Sequence, residues 1–247
     1  MTFVLPLPPS HLRGTSDGHG DPLQFVAQSY EFLGYFRELG GLDHDSKVLD
    51  VGCGVGRMAR SLTACLSSGE YHGFDVIEEQ VSWCRNNISH RYPNFHFRHI
   101  DICNNVYNRD GEISAESLQF PYQSYTFDLV FLASVFTHML PEAVENYFQE
   151  ISRVLKPGGR CLITWFLLTD ERVGNMERAA FMIDKGGKDR VYRVASLEHP
   201  ENVVGYYEQY VRSAYLIAGL KIIEPIRLGF WGGTQGISGQ DIIVAEK

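Results

Sequence analysis

Apolar positions along this chain fall into short runs, separated by breaks rich in glycine, proline and asparagine, and the runs alternate between two periods. Lys47–Val51, Tyr71–Phe74, Phe95–His99, Phe127–Leu132 and Arg160–Leu168 are compact apolar segments of the length and composition of buried strands. Helical patterns lie between them. Asp21-Pro22 opens the first, whose Phe25, Tyr30, Phe32, Leu33, Phe36 and Leu39 make an uneven apolar face that Gly40-Gly41 stops. Arg57 to Leu66 places Met58, Leu62 and Leu66 on one side. Glu78–Asn87 and Pro141–Leu155 follow, the latter opened by a proline that a first turn tolerates. Lys156-Pro157-Gly158-Gly159 reads as a sharp turn. Near the end, Tyr206–Ala218 is predicted helical, and Lys221–Phe230 and Asp241–Ala245 are predicted strands joined by the glycine-rich Trp231–Gly239.

Strands alternating with helices imply an α/β fold with a mostly parallel sheet covered on both faces. The pattern is read as one domain over residues 1–247. An N-terminal arm and helix occupy 1–46, a core 47–168, an irregular segment 170–205, and a helix with strands 206–247. Residues 103–125 read as a long loop with at most one helical turn. Segment 170–205 has mixed charge and no clear periodicity. It is either a lid over an active site or a surface excursion, and the lid is favoured because loops this long inside a compact domain usually carry function.

Composition narrows the classes. At 44% hydrophobic content, 247 residues are enough for one sizeable core. The 30 acidic against 22 basic residues give a charge of −8, which disfavours nucleic acid and anionic membrane as bulk partners. No apolar run approaches the roughly 20 residues that span a bilayer. The proline-cut, non-basic N-terminus does not resemble a signal peptide. Five scattered cysteines without a C-x-x-C pair argue against disulfides or zinc, and the expected location is cytoplasmic. Oligomeric state is left open.

The chemistry concentrates in Val48-Leu49-Asp50-Val51-Gly52-Cys53-Gly54-Val55-Gly56-Arg57. A strand ends, glycines turn the chain, and a helix begins. This is the layout of a nucleotide-type site at the carboxyl end of a sheet. Asp75 ends the next strand, where a carboxylate can accept from both ribose hydroxyls, and Asp101 follows the third, within reach of an adenine amino group. A nicotinamide site wants G-x-G-x-x-G, but the third position here is Arg57, and a pyrophosphate has no use for Asp50 just before the turn. A sulfonium cofactor with a free amino group and no phosphate tolerates acid nearby.

Residues 47–168 resemble the core of the class I S-adenosylmethionine-dependent methyltransferases. Asp50-x-Gly52-x-Gly54-x-Gly56 is similar to their first motif, Asp75 to the ribose-binding acid, and Asp101-Ile102 to the adenine-contacting pair. Phe127-Asp128-Leu129-Val130 with Ser134-Val135-Phe136-Thr137-His138 resembles the fourth-strand motif, and Arg153 to Gly159 the segment before the fifth strand. The resemblance implies a Rossmann-like seven-stranded sheet whose last strand, Gln240 to Val244, runs antiparallel. The arm and segment 170–205 lie outside the shared core, where the resemblance is silent, and are expected to carry acceptor choice. The resemblance also implies S-adenosyl-L-methionine as cofactor and S-adenosyl-L-homocysteine as product. The acidic charge and 13% aromatic content lean towards a small-molecule acceptor, for which transfer to oxygen is expected ahead of nitrogen or carbon, and with no metal-binding carboxylate set no metal is expected. Rival readings are a catalytically inactive binding or scaffold subunit of the same fold and an NAD-dependent dehydrogenase.

On that resemblance the cofactor-binding set is Asp50, Gly52, Cys53, Gly54, Gly56, Arg57, Asp75, Val76, Ile77, Asp101, Ile102, Leu132, Ala133 and Ser134. Asp50 either caps the turn or holds the cofactor's amino end. Arg57 either steers its carboxylate or lies on the surface. Ile77 and Ile102 either sandwich the adenine or are core. His138, just past the fourth strand, is the candidate general base, since imidazole titrates near neutral pH, and otherwise hydrogen-bonds its loop. His19 is a second candidate base. Trp165, Trp231 and Arg13 are candidate acceptor contacts. The Tyr206, Tyr207 and Tyr210 group is read as core.

Overall fold

The computed structural model describes residues 5–13, 20–170, 172, 184–185, 191–233 and 235–247. The large sheet has seven strands in the order β12-β13-β7-β6-β1-β2-β3. These are β1 (Lys47–Val51), β2 (Glu70–Asp75), β3 (Phe95–His99), β6 (Phe127–Leu132), β7 (Leu155–Trp165), β12 (Lys221–Ile222) and β13 (Asp241–Glu246). β1 pairs in parallel with both β2 and β6, and β2 with β3. β13 is antiparallel to β7 and to β12, as expected for the last strand. Helices α1 (Pro22–Glu38), α2 (Arg57–Leu62), α3 (Glu78–Cys84), α4 (Pro141–Val154) and α5 (Glu208–Ile217) complete the alternation.

The chain divides into two compact units, residues 1–101 with 127–131 and residues 102–126 with 132–247. In the first, Asp21 caps α1 by accepting from Leu23 N–H, and Pro22 occupies the first turn, where its missing N–H costs nothing. The buried stripe Phe25, Ser29, Phe32 and Phe36 faces inward, with Phe36 against Phe131 of β6 (ring centroids 4.3 Å). Each such ring stabilises the unit by about 1.5–3 kcal/mol through burial. Ser61 of α2 donates to Ser29 O (2.7 Å), locking α2 to α1. The arm is packed down, because Arg60 donates to Leu5 O and Pro6 O, and Leu12 is buried with Phe25 and Val55.

In the second unit, α4 carries a long apolar face, Ala143, Val144, Tyr147, Phe148, Ile151 and Val154. Its Arg153 donates to Phe120 O and Tyr122 O and pairs with Glu150 (2.6 Å), while Glu150 accepts from Phe120 N–H. This pins the loop 103–125, which holds the short pair β4 (Ile102–Cys103) and β5 (Ile113–Ser114).

Three expected boundaries shift. Lys221–Phe230 is a strand only over Lys221–Ile222, since Pro225 offers no N–H to a ladder, and one further bridge joins Arg227 to Ile242. The turn Lys156 to Gly159 is taken into β7, because Gly158 N–H finds the carbonyl of Lys247 and Lys247 N–H the carbonyl of Gly159. Tyr206 and Tyr207 are strand rather than helix, since Tyr206 N–H donates to Phe166 O and Tyr207 N–H to Val191 O. They belong to β11 (Val204–Tyr207), part of a four-stranded sheet β8-β11-β10-β9 with β8 (Leu167–Leu168), β10 (Tyr192–Val194) and β9 (Asp184–Lys185). Segment 170–205 thus contributes β9, β10 and the start of β11 to a small sheet that β8, at the end of the core, completes. No described helix is long and apolar enough to cross a membrane.

Candidate functional site

In the first unit the site grows from the carboxyl ends of β1 and β2. Gly52, Gly54 and Gly56 all take positive φ (78°, 51° and 74°), the region where a Cβ is penalised. Gly56 also needs its small size, because a Cβ there would lie 2.7 Å from Ile88 Cδ1 and 3.0 Å from Cys84 Sγ. Gly52 and Cys53 donate to Phe74 O, which ties the turn to the end of β2.

Asp75 sits under that turn. Its Oδ2 accepts from Gly54 N–H (2.7 Å) and its Oδ1 from Ile77 N–H (3.0 Å). Burial pushes its carboxyl up, against the stabilising backbone N–H bonds. Asp50 is 2% exposed and accepts from the Tyr71 hydroxyl (2.6 Å). Burial pushes its carboxyl up to about 8, with the Tyr71 hydrogen bond and the Arg57 charge pulling the other way. Arg57 donates to Gln28 Oε1 of α1 (2.8 Å), and burial lowers its pKa against the fields of Asp50 and Glu31. The Arg57 residue as a whole is half-buried. Cys53 is buried, Val76 and Ile77 are half-buried, and Asp101, half-buried, follows β3.

In the second unit Ile102 is buried in β4, and Leu132, at the end of β6, is buried too. Ala133 and Ser134 are half-buried. Ser134 is one of two described non-glycine residues at positive φ (61°). It is held there by Thr164 Oγ1, which accepts from its N–H (2.8 Å), and by Gln240 Oε1, which accepts from its hydroxyl (3.2 Å). A strained backbone so well pinned is typical of functional positions. His138 Nδ1 lies 3.1 Å from the Glu201 carbonyl, and Tyr107 meets the ring edge-on (5.5 Å). A carbonyl only accepts, so Nδ1 carries the proton and the lone pair of the neutral ring falls on Nε2.

Other expected positions differ. Trp165 is wholly buried in a cluster of Phe136 (4.9 Å), Phe148, Tyr206 and Tyr215. Trp231 is also buried. Its indole N–H donates to Asp241 (2.6 Å), and Arg172 lies over its ring at 5.0 Å. The guanidinium of Arg13 is spent on the arm's own carbonyls, Pro8 O and Gly20 O. His19 lies outside the described residues. Among the described residues the one cluster of possible metal ligands is exposed Asp43, His44 and Asp45, in the turn before β1.

Sequence reading missed Tyr71, although Gly73 inside β2 hinted that something passes close there. It also missed the Arg172–Asp241 pair. Asp241 accepts from Leu167 N–H, Gly229 N–H, the Trp231 indole and Arg172, with Asp241 0% and Arg172 4% exposed.

The donor set suits a ligand with hydroxyls and a cation. Two buried carboxylates flank the glycine turn, which is a poor setting for a pyrophosphate. The profile described as a methyltransferase domain matches residues 48–159, spanning the turn, Asp75, Asp101 and the β6 motif. Residues 48–159 carry a methyltransferase domain, of the class I S-adenosylmethionine-dependent type by its sheet order. The chain is 28% identical over 153 residues to sterol 24-C-methyltransferase erg6 of Schizosaccharomyces pombe, a match covering 60% of this chain and 34% of that one. It spans about a third to a half of the length of the first curated relatives it matches. The chain shares its fold with the PH0226 protein of Pyrococcus horikoshii OT3 (TM-score 0.61, 18% identity, 92% of each chain). It also shares it with the [4+2]-cyclase SpnF (TM-score 0.58, 19% identity, 94% of this chain and 84% of that one).

Proposed function

We propose that this chain transfers a methyl group from S-adenosylmethionine to an oxygen of a small-molecule acceptor. The observation that carries the proposal is the Asp75 carboxylate, held under the glycine turn by Gly54 and Ile77 N–H groups. On this reading it accepts from vicinal ribose hydroxyls. Asp50 and the turn Gly52–Gly56 take the amino-acid end, with Arg57 as a half-buried charge beside them. Val76, Ile77, Asp101 and Ile102 are assigned to the adenine, and Leu132, Ala133 and Ser134 contribute backbone at the end of β6.

S-adenosylmethionine, when bound, supplies an electrophilic methyl on a sulfonium. The chain's work is alignment and exclusion of water. His138 takes the proton of the acceptor hydroxyl on Nε2, with Nδ1–H held by Glu201 O. Segment 170–205, of which β9 and β10 are described, and the N-terminal arm are assigned to acceptor choice. A catalytically inactive binding or scaffold subunit of the same fold is the second reading, because fold alone does not establish activity.

Calorimetry tests the first reading. Wild type is expected to bind S-adenosylhomocysteine with micromolar affinity, and Asp75→Ala to lose about 10²-fold or more, the loss of two hydrogen bonds to a charged group. Absence of wild-type binding removes the proposal. Binding without methylation of any compound in a hydroxylated-metabolite panel supports the scaffold reading.

A further inference from the structure

Tyr71 lies in the middle of the first unit with no role in the resemblance. Its phenol points across from β2 to Asp50 on β1. The register pairs Asp50 with Gly73, two residues beyond Tyr71 on the same face of β2. A Cβ at Gly73 would sit 2.8 Å from the Tyr71 hydroxyl and 2.8 Å from Cys53 Cβ. The missing side chain is what lets the phenol pass. The ring is fixed from behind by Phe95 (stacked, 5.0 Å) and Phe97 (5.2 Å). Tyr71 is 0% exposed and its hydroxyl is 2.6 Å from Asp50 Oδ2. The strand pairing, the glycine and the two aromatic rings together serve to aim one hydroxyl at one carboxylate oxygen.

We propose that Tyr71 is a positioning residue of the cofactor site: it holds Oδ2 of Asp50 so that Oδ1 meets the ammonium group of the cofactor's amino-acid end, and the pocket releases a proton when that ammonium arrives. The inference rests on the cofactor reading given above. Its chemistry follows from the surroundings of Asp50. The ionisable groups facing it are Tyr71 and Asp75 from β2, Cys53 from the turn, Cys84 from α3 and Arg57 from α2. Burial pushes the Cys53 and Cys84 thiols up, so both stay neutral and add no charge. Asp75 opposes ionisation of Asp50, and Arg57, shared with Gln28 and Glu31, favours it only in part. In the ligand-free pocket Asp50 therefore holds its proton at neutral pH. An arriving ammonium supplies the missing positive charge. The O–H bond of Asp50 then breaks, its electron pair stays on the carboxylate, and the proton goes to the buffer. Tyr71, a donor only to this oxygen, stabilises the ionised form and so strengthens ammonium binding.

The test is calorimetry at pH 7 with two ligands, S-adenosylhomocysteine and 5′-methylthioadenosine, which has the same nucleoside but no amino-acid tail. Titrations in phosphate and in Tris, whose ionisation heats differ, count protons. Wild type should release close to one proton per S-adenosylhomocysteine and none with methylthioadenosine. Its affinity for S-adenosylhomocysteine should rise about tenfold per pH unit between pH 6 and 7, as release of one proton requires. Y71F should weaken S-adenosylhomocysteine by about 10- to 100-fold, the worth of a hydrogen bond to a charged group, and leave methylthioadenosine within twofold. D50N, which keeps the volume, should abolish proton release, giving a second route if Y71F folds poorly. Equal weakening of both ligands in Y71F reduces Tyr71 to packing and overturns the inference, as does wild-type binding without proton release. Wild type that binds methylthioadenosine but not S-adenosylhomocysteine also overturns it, while the nucleoside half of the cofactor reading stands. Wild type that binds neither removes both.

Discussion

Replacing Asp241 with Asn tests whether the second unit is held by the buried Arg172–Asp241 pair. The substitution conserves volume, so no cavity opens, and the effect is confined to charge and hydrogen bonding. Asp241 accepts from four separate groups, Leu167 N–H (2.8 Å), Gly229 N–H (2.7 Å), the Trp231 indole (2.6 Å) and Arg172 Nη1 (2.8 Å). An amide has one acceptor oxygen, so its NH2 must face donors. Arg172 keeps bonds to Gly229 O and Leu167 O but loses its counter-ion. Breaking a buried pair from one side costs about 3–5 kcal/mol, against about 5–15 kcal/mol for a whole domain. Equilibrium urea unfolding followed by far-ultraviolet circular dichroism should show D241N losing that much, with an unchanged slope. Arg172→Met combined with D241N should recover part of the loss, because the stranded charge is gone. A single variant within about 1 kcal/mol of wild type would refute the reasoning and make the pair incidental.

Two further outcomes are expected. The folded carboxyl of Asp50 lies near 8 against 3.8 in its ordinary state, so the folded chain holds this proton more tightly than the unfolded one. Stability contributed by the protonated form is whole below pH 4 and is lost as pH rises through about 8. D50N should therefore be flatter than wild type across that window in thermal melts, and parallel curves would contradict the assignment. His138→Ala should lower kcat on the true acceptor by about 10²-fold or more and remove the acidic limb of the pH–rate profile. An unchanged profile would return His138 to a structural role, bonding Glu201 O.

What the sequence revealed follows from how local each signal is. β1, β2, β3 and β6 announce themselves because each is a compact apolar run whose partners are runs of the same kind. Asp75 was legible because a carboxylate ending the second strand after a glycine turn has few other uses. The small sheet was not, since its strands are two to four residues long and their pairing is decided by contacts such as Tyr206 N–H to Phe166 O. Tyr71 hid because tyrosine is an ordinary strand former, and only Gly73 betrays it. Arg172 and Asp241 stand 69 residues apart, so neither carries a local mark of the other. Trp165 was taken for a pocket wall because a tryptophan near a strand end fits either role, and only the four aromatic neighbours decide.

β7 passes into β8 with the single residue Phe166 between them, and Phe166 is buried against Leu168 and Trp231. One backbone thus serves two sheets, like a beam running through a wall into a balcony. Length can be added or trimmed on the outer strands without touching the beam. A change at Phe166 itself is felt on both sides of the wall, and that residue is the least negotiable point of the outer sheet.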